Sequence, residues 1–186
     1  MLLLWALLIG LVIGLVRRGN LSNLAHIDLK GKWLILGALI VQVLIFPLGH
    51  SAPVIQTGTE YLHFLSYFFL FVFIVINRHY LGFIITGIGM ALNIIVIAAN
   101  GGYMPASAEA LRNAGLDRVA AILESGLHHG NTVLMSAHTK LNFLGDIFSV
   151  PKYIPFSTAF SIGDILIGLG IVIFLALEMP RSHHPE

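Results

Sequence analysis

The sequence predicts an all-α, polytopic membrane protein, on three observations. Of its 186 residues, 57% are hydrophobic and only 10% charged; the mean hydropathy is +0.89; and the apolar residues gather in five long stretches almost free of charge. A chain of this composition has lipid as its main solvent. At roughly 20 residues per span there is room for about five helices and one sizeable loop, hence a single membrane domain over residues 1–186. The absence of cysteine excludes disulfides, thiolate metal sites and thiol nucleophiles, and a net charge of +1 argues against a nucleic-acid partner.

The stretches are 1–16, 33–49, 61–76, 81–99 and 157–177, the last interrupted only by Asp164. As spans the third and fifth extend to 59–77 and 158–178. The first is read as a retained helix, because Arg17 and Arg18 follow it and no basic region precedes it. Arg17, Arg18, Lys30 and Lys32 follow the first span, Arg78 the third and Arg181 the fifth. By the positive-inside rule these short loops face the cytoplasm of a bacterial cell (inner) membrane. The N-terminus then lies outside, the C-terminus inside, and residues 100–156 form an outer segment.

That segment begins with Asn100-Gly101-Gly102-Tyr103-Met104-Pro105, a helix stop that permits positive φ. Residues 106–114 and 117–125 each read as a short helix, the pair either lying on the membrane surface or forming a cap that covers the bundle, with Asp117 as N-cap of the second and Gly115 and Gly126 as stops. Leu116, Val119, Ile122 and Leu123 supply one apolar face. Residues 131–148 are expected to form a re-entrant or interfacial helix, in which His138, Asn142 and Asp146 recur every four residues along one face.

Asp164 puts a carboxylate at the mouth of an apolar segment, where ionisation is costly and function is the default reading. Asp146 lies eighteen positions earlier. A continuous helix would hold the two roughly 27 Å apart, at about 1.5 Å per residue. Pro151 and Pro155 break that helix and allow the chain to return. Two carboxylates brought together share a proton, one acting as general base on water and the other as general acid, which is aspartic-peptidase chemistry. Asn100, Tyr103, Met104, His138, Lys140 and Asn142 are the expected substrate-binding residues around the outward-facing site.

The run Phe160-Ser161-Ile162-Gly163-Asp164, with an Asp before it in Leu144-Gly145-Asp146-Ile147-Phe148, resembles the C-terminal part of the lipoprotein signal peptidases. Ser161 and Gly163 stand where that family has Asn and Ala, and its Asn-x-Gly-Ala-Ala-Phe motif is absent. Gly163-Asp164 is also similar to the Gly-x-Gly-Asp of presenilin-type proteases, with Ser161 replacing the first Gly. Over its whole length the chain resembles an uncharacterised bacterial family of small five-span membrane proteins that carries an Asn-Gly-Gly-x-Met-Pro motif, here 100–105. The peptidase resemblance implies that Asp146 and Asp164 are a catalytic dyad near the outer leaflet.

Other chemistries draw on the same residues. A proton-coupled transporter would use the two acids as carriers, Asn93 and Arg78 as gates and Gly87-Ile88-Gly89 as a hinge. A metal site could draw on His128, His129, His138 and the two acids, although adjacent histidines diverge on a helix and no metalloprotease spacing is present. Ser136 and His138 point to different sides of a helix, unlike a nucleophile and its base. A purely structural account makes Asp164 the N-cap of the last helix, pairs Asp146 with Lys140 or Lys152, and places His26, His50, His63 and His79 at the interface. The His183-His184 pair reads as a polar tail. The expected partners are the bilayer and a membrane-anchored peptide or lipid, with no cofactor.

Overall fold

The computed structural model describes residues 2–45, 54–55 and 59–181. Residues 46–49 of the second expected span, His50, His183 and His184 lie outside the described residues. In chain order the helices are α1 (Leu2–Val16), α2 (Leu21–Ala25), α3 (Lys32–Ile45), α4 (Thr59–Ile76), α5 (Leu81–Ala99), α6 (Ala108–Asn113), α7 (Asp117–Glu124) and α8 (Ile162–Glu178). Four short strands correct the all-α expectation: β1 (Met104–Ala106) pairs parallel to β2 (Thr132–Leu134), and β3 (Phe148–Val150) pairs antiparallel to β4 (Thr158–Phe160).

Helix α5 coincides with the expected fourth span. Among the described residues it is the helix long and apolar enough to cross a bilayer, its 19 residues giving about 28 Å at 1.5 Å each. Helices α1 and α3 and residues 64–76 of α4 are apolar but shorter. Neighbouring helices pack in the order α1, α8, α5, α4, α3. Large apolar side chains such as Leu7, Leu8, Val12, Leu39, Ile88 and Leu169 point outward from this row.

The α5–α8 contact is the most extensive and is built from small residues, which let two helix backbones approach closely. A Cβ on Gly82 would come within 2.5 Å of the Gly170 carbonyl oxygen, and one on Gly163 would collide with Asn93 Oδ1. Gly89 faces the Gly163 carbonyl in the same way. The expected hinge at Gly87-Ile88-Gly89 is therefore corrected. Both glycines lie inside the continuous α5, Gly89 packed on α8 and Gly87 near Ile74 of α4.

At one end of the row, polar side chains tie the short loops together. Asn77 Nδ2 donates to the Lys30 carbonyl at 2.8 Å, and the Lys30 N–H donates to Asn77 Oδ1 at 2.9 Å. Asn23 Nδ2 donates to the Met179 carbonyl at 2.7 Å. Near this end, His26 bonds the Ser22 carbonyl through a ring nitrogen and His79 stacks on Tyr80. At the other end the outer segment folds as a cap, with Ala106, Leu111, Ala120 and Leu123 as its core and Leu116 and Val119 packed on it. The two short helices are present, with Gly115 and Gly126 at positive φ after them. Asp117 is not the N-cap; Leu116 holds that position without a side-chain bond, and Asp117 is in the first turn.

Helix α8 starts at Ile162 rather than 158, because residues 158–160 pair with β3 and Ser161 caps the helix. The larger correction concerns 131–148, which is not a helix. Residues 132–134 run beside β1, residues 136–139 turn, residues 142–144 make one 3₁₀ turn, and Asp146 is extended. Gly130 (φ +58°) and Leu141 (φ +54°) are left-handed, a conformation no α-helix passes through. His138, Asn142 and Asp146 therefore share no helix face.

Candidate acid site at the capped end of the bundle

The cap is joined to the bundle by Asn100. Gly101 (φ +67°) and Gly102 (φ +99°) turn the chain out of α5. The Asn100 side chain donates to the Val96 carbonyl (2.8 Å) and the Lys140 carbonyl (2.9 Å), and accepts from the Lys140 N–H (2.7 Å). Next in the chain, Tyr103 stacks on His128 with ring centroids 4.2 Å apart. Met104 is buried with Val96 and Ile97. These residues brace the site. Of the expected substrate-binding set, Met104 is corrected to a packing residue, and Asn142 is spent in its turn, bonding Thr139 and the Ser136 carbonyl. His138 and Lys140 are exposed.

Replacing Asn100 by alanine leaves the Lys140 N–H and carbonyl without their partner. Lys140 is exposed, so water can take over its groups and the loss is about 0.5–1.5 kcal/mol per bond; Asn100→Ala should still lower the melting temperature and open residues 136–145 to limited protease. Unchanged melting and cleavage would show the staple to be dispensable.

Strand β1 then carries Asp146. The Asp146 N–H donates to the Pro105 carbonyl at 2.9 Å, and the Ser107 N–H donates to the Asp146 carbonyl at 3.0 Å, so Asp146 lies along the free edge of β1. A Cβ at Gly145 would strike the Pro105 carbonyl oxygen, so only glycine allows this approach. Asp146 is partly buried, and among the described residues its carboxylate has no hydrogen bond or ion pair, Lys140 and Lys152 included. Burial first, and then the negative charge of Asp164, push its carboxyl up to about 7.

Asp164 is held differently. Ser161, not Asp164, is the N-cap: its Oγ accepts from the Asp164 N–H at 3.0 Å, while Asp164 Oδ2 accepts from the Ser161 N–H at 3.0 Å. This reciprocal capping box is closed by Asn93 of α5. Asn93 Nδ2 donates to Asp164 Oδ1 at 2.9 Å, and Ser161 Oγ donates to Asn93 Oδ1 at 2.9 Å. Each Asp164 oxygen thus receives one hydrogen bond and keeps a further lone pair. Asp164 also lines a cavity of about 390 Å³ formed with Leu2, Leu3 and Leu4 of α1 and Thr158, Ala159 and Phe160 of β4.

The structure brings Asp146 and Asp164 into one electrostatic neighbourhood, with Tyr67 of α4 within reach of both charges. Tyr67 has no sequence signature. Ser161 and Asn93 do: Ser-x-x-Asp before an apolar run is a capping-box pattern, and an Asn inside an apolar helix needs a partner. Among the described residues, no three His, Asp or Glu side chains converge as a metal set.

Residues 26–176 match a family described as one of unknown function, DUF5317. The chain belongs to the DUF5317 family. An uncharacterised protein of Thermotoga maritima is 31% identical over 176 residues, covering 94% of this chain and 89% of that one. No solved structure matches. The expected kinship with an uncharacterised family agrees with these findings. Tyr67, Asn93, Asn100, Asp146, Ser161 and Asp164 all fall inside the part that matches DUF5317, whereas α1, which walls the cavity beside Asp164, precedes it.

Proposed function

We propose that this DUF5317 protein is a five-span membrane protein whose outer acid pair, Asp146 and Asp164, hydrolyses a membrane-anchored peptide. The carrying observation is the unequal environment of the two carboxylates, one unpaired and raised to about 7, the other bonded to Asn93 and Ser161. Groups whose environments differ in this way divide into acid and base. The Asp164 carboxylate accepts a proton from water; the resulting hydroxide attacks the peptide carbonyl carbon while Asp146 gives its proton to the carbonyl oxygen. Collapse of the diol breaks the C–N bond: the proton taken by Asp164 leaves on the amine, and a diol hydroxyl returns its proton to Asp146 as the carboxylic acid forms.

The membrane reading is supported by the outward apolar side chains and by the gathering of Arg17, Arg18, Lys30, Arg78 and Arg181 at the end opposite the cap. By the positive-inside rule, positive charge at that end supports a cytoplasmic side there and an outer position for the acid pair, in a bacterial inner membrane. A second apolar cavity of about 370 Å³ between α1 and α8 shares Leu2 and Phe160 with the one beside Asp164, which suits entry from the lipid. A proton-coupled transporter is less well supported, since α5 is unbroken where transporters use discontinuous helices. The test is reconstitution in vesicles with single-span and lipid-anchored reporter peptides. Chelator-resistant cleavage supports the proposal. Proton flux without cleavage would replace it with the transporter.

A further inference from the structure

A second site lies at the opposite end of the bundle. Gly31, at φ +68°, turns the chain into α3 so tightly that a Cβ there would sit 2.6 Å from Ile76 Cδ1, at the end of α4. The turn leaves a cavity of about 440 Å³ lined by Leu29, Gly31, Lys32, Trp33 and Leu36. Its lining is amphipathic: Leu29 and Leu36 are apolar, Lys32 is cationic, and Trp33 is 81% exposed. The mutual bonds of Asn77 and Lys30 hold Arg78 beside the same turn. Among the described residues, Lys30, Lys32 and Arg78 have no ion pair. The acid nearest in the chain, Asp28, makes no ion pair with them among the described residues.

We propose that this cavity is a binding site for the headgroup of an anionic phospholipid, with Lys32 and Lys30 on the phosphate, Trp33 at headgroup depth and an acyl chain along Leu36. The occupant follows from charge and position. Unpaired cations stand where the apolar part of α3 begins, at the depth of a lipid phosphate, and an indole with its polar edge prefers that level. The site rests on the membrane reading of the bundle but not on the acid chemistry.

Trp5 and Trp33 are the two tryptophans, so Trp5→Phe leaves Trp33 as sole reporter. The reporter protein is reconstituted in phosphatidylcholine vesicles carrying a small fraction of brominated phosphatidylglycerol or, in parallel, brominated phosphatidylcholine. The expected result is Trp33 quenching that saturates at a much lower fraction of the anionic lipid, with about five-fold weaker apparent affinity for each of Lys32→Gln and Lys30→Gln. Equal quenching by both lipids would overturn the site while leaving the bundle in the membrane. Quenching by neither would overturn the membrane reading as well. Selectivity that survives both substitutions would assign it to other cations and sink the proposal.

Discussion

Asp146→Asn and Asp164→Asn should each reduce cleavage of a membrane-anchored peptide by about 10²-fold or more, the usual contribution of a general acid or base. The folded protein should remain extractable. The two substitutions differ in what else they disturb. Asp146 has no side-chain bond among the described residues, so its amide replacement removes a proton and little structure. In Asp164→Asn one side-chain atom becomes a donor facing either the Ser161 N–H or Asn93 Nδ2, so part of the capping box is lost, at about 1 kcal/mol. Ser161→Ala separates the effects: it weakens the cap but leaves both carboxylates, and should retain much of the turnover. Full activity in either Asp variant would end the dyad account.

The largest structural effect should come from a single methyl group. Gly163→Ala puts a Cβ into Asn93 Oδ1 and against the Gly89 carbonyl, atoms fixed by a hydrogen-bond network and by helix backbone. Overpacking costs about 1–3 kcal/mol, and disturbing the bond to a charged carboxylate adds about 1.5–3 kcal/mol. Against this stands a gain of at most about 1 kcal/mol from replacing glycine in a helix. The melting temperature should therefore fall by several degrees and turnover with it, since Asn93 orients Asp164. Gly168→Ala is the matched control on the same helix. There a Cβ meets only Ala6 Cβ at 3.3 Å, and the helix gain should nearly offset the contact. A Gly163→Ala protein that melts with wild type would contradict the packing of α5 on α8.

How far the sequence could be read depended on whether an element is determined locally. Helix α5 was legible at both ends because an uncharged, mostly apolar run of 19 residues begins after Tyr80 and stops at Asn100-Gly101-Gly102. Helices α6 and α7 were legible for the same reason, each closed by a glycine. Residues 131–148 were not. The four-residue spacing of His138, Asn142 and Asp146 suggested a helix, but the backbone is ordered by distant partners, β1 and the Asn100 side chain. At Asp164 the local and distant contributions combine. Its place at the mouth of α8 is visible in the sequence, and Ser161, which departs from the peptidase motif, forms with it the Ser-x-x-Asp pattern of a cap. Asn93 and Tyr67 joined the site only because α4, α5 and α8 pack side by side.

The most direct measurement is the titration of the Asp146 carboxyl, followed by isotope-edited infrared spectroscopy in wild type and in Asp164→Asn. The account predicts a midpoint of about 7 in wild type, against an ordinary 3.8. The folded state then holds the proton more tightly than the unfolded one. The stability this confers is complete below about pH 4 and is lost as pH rises through about 7. Removing the Asp164 charge should lower the midpoint without restoring the ordinary value, because burial is the larger cause. A midpoint near 4 in both proteins would mean that Asp146 is a solvated surface acid, and the acid pair would have to be abandoned.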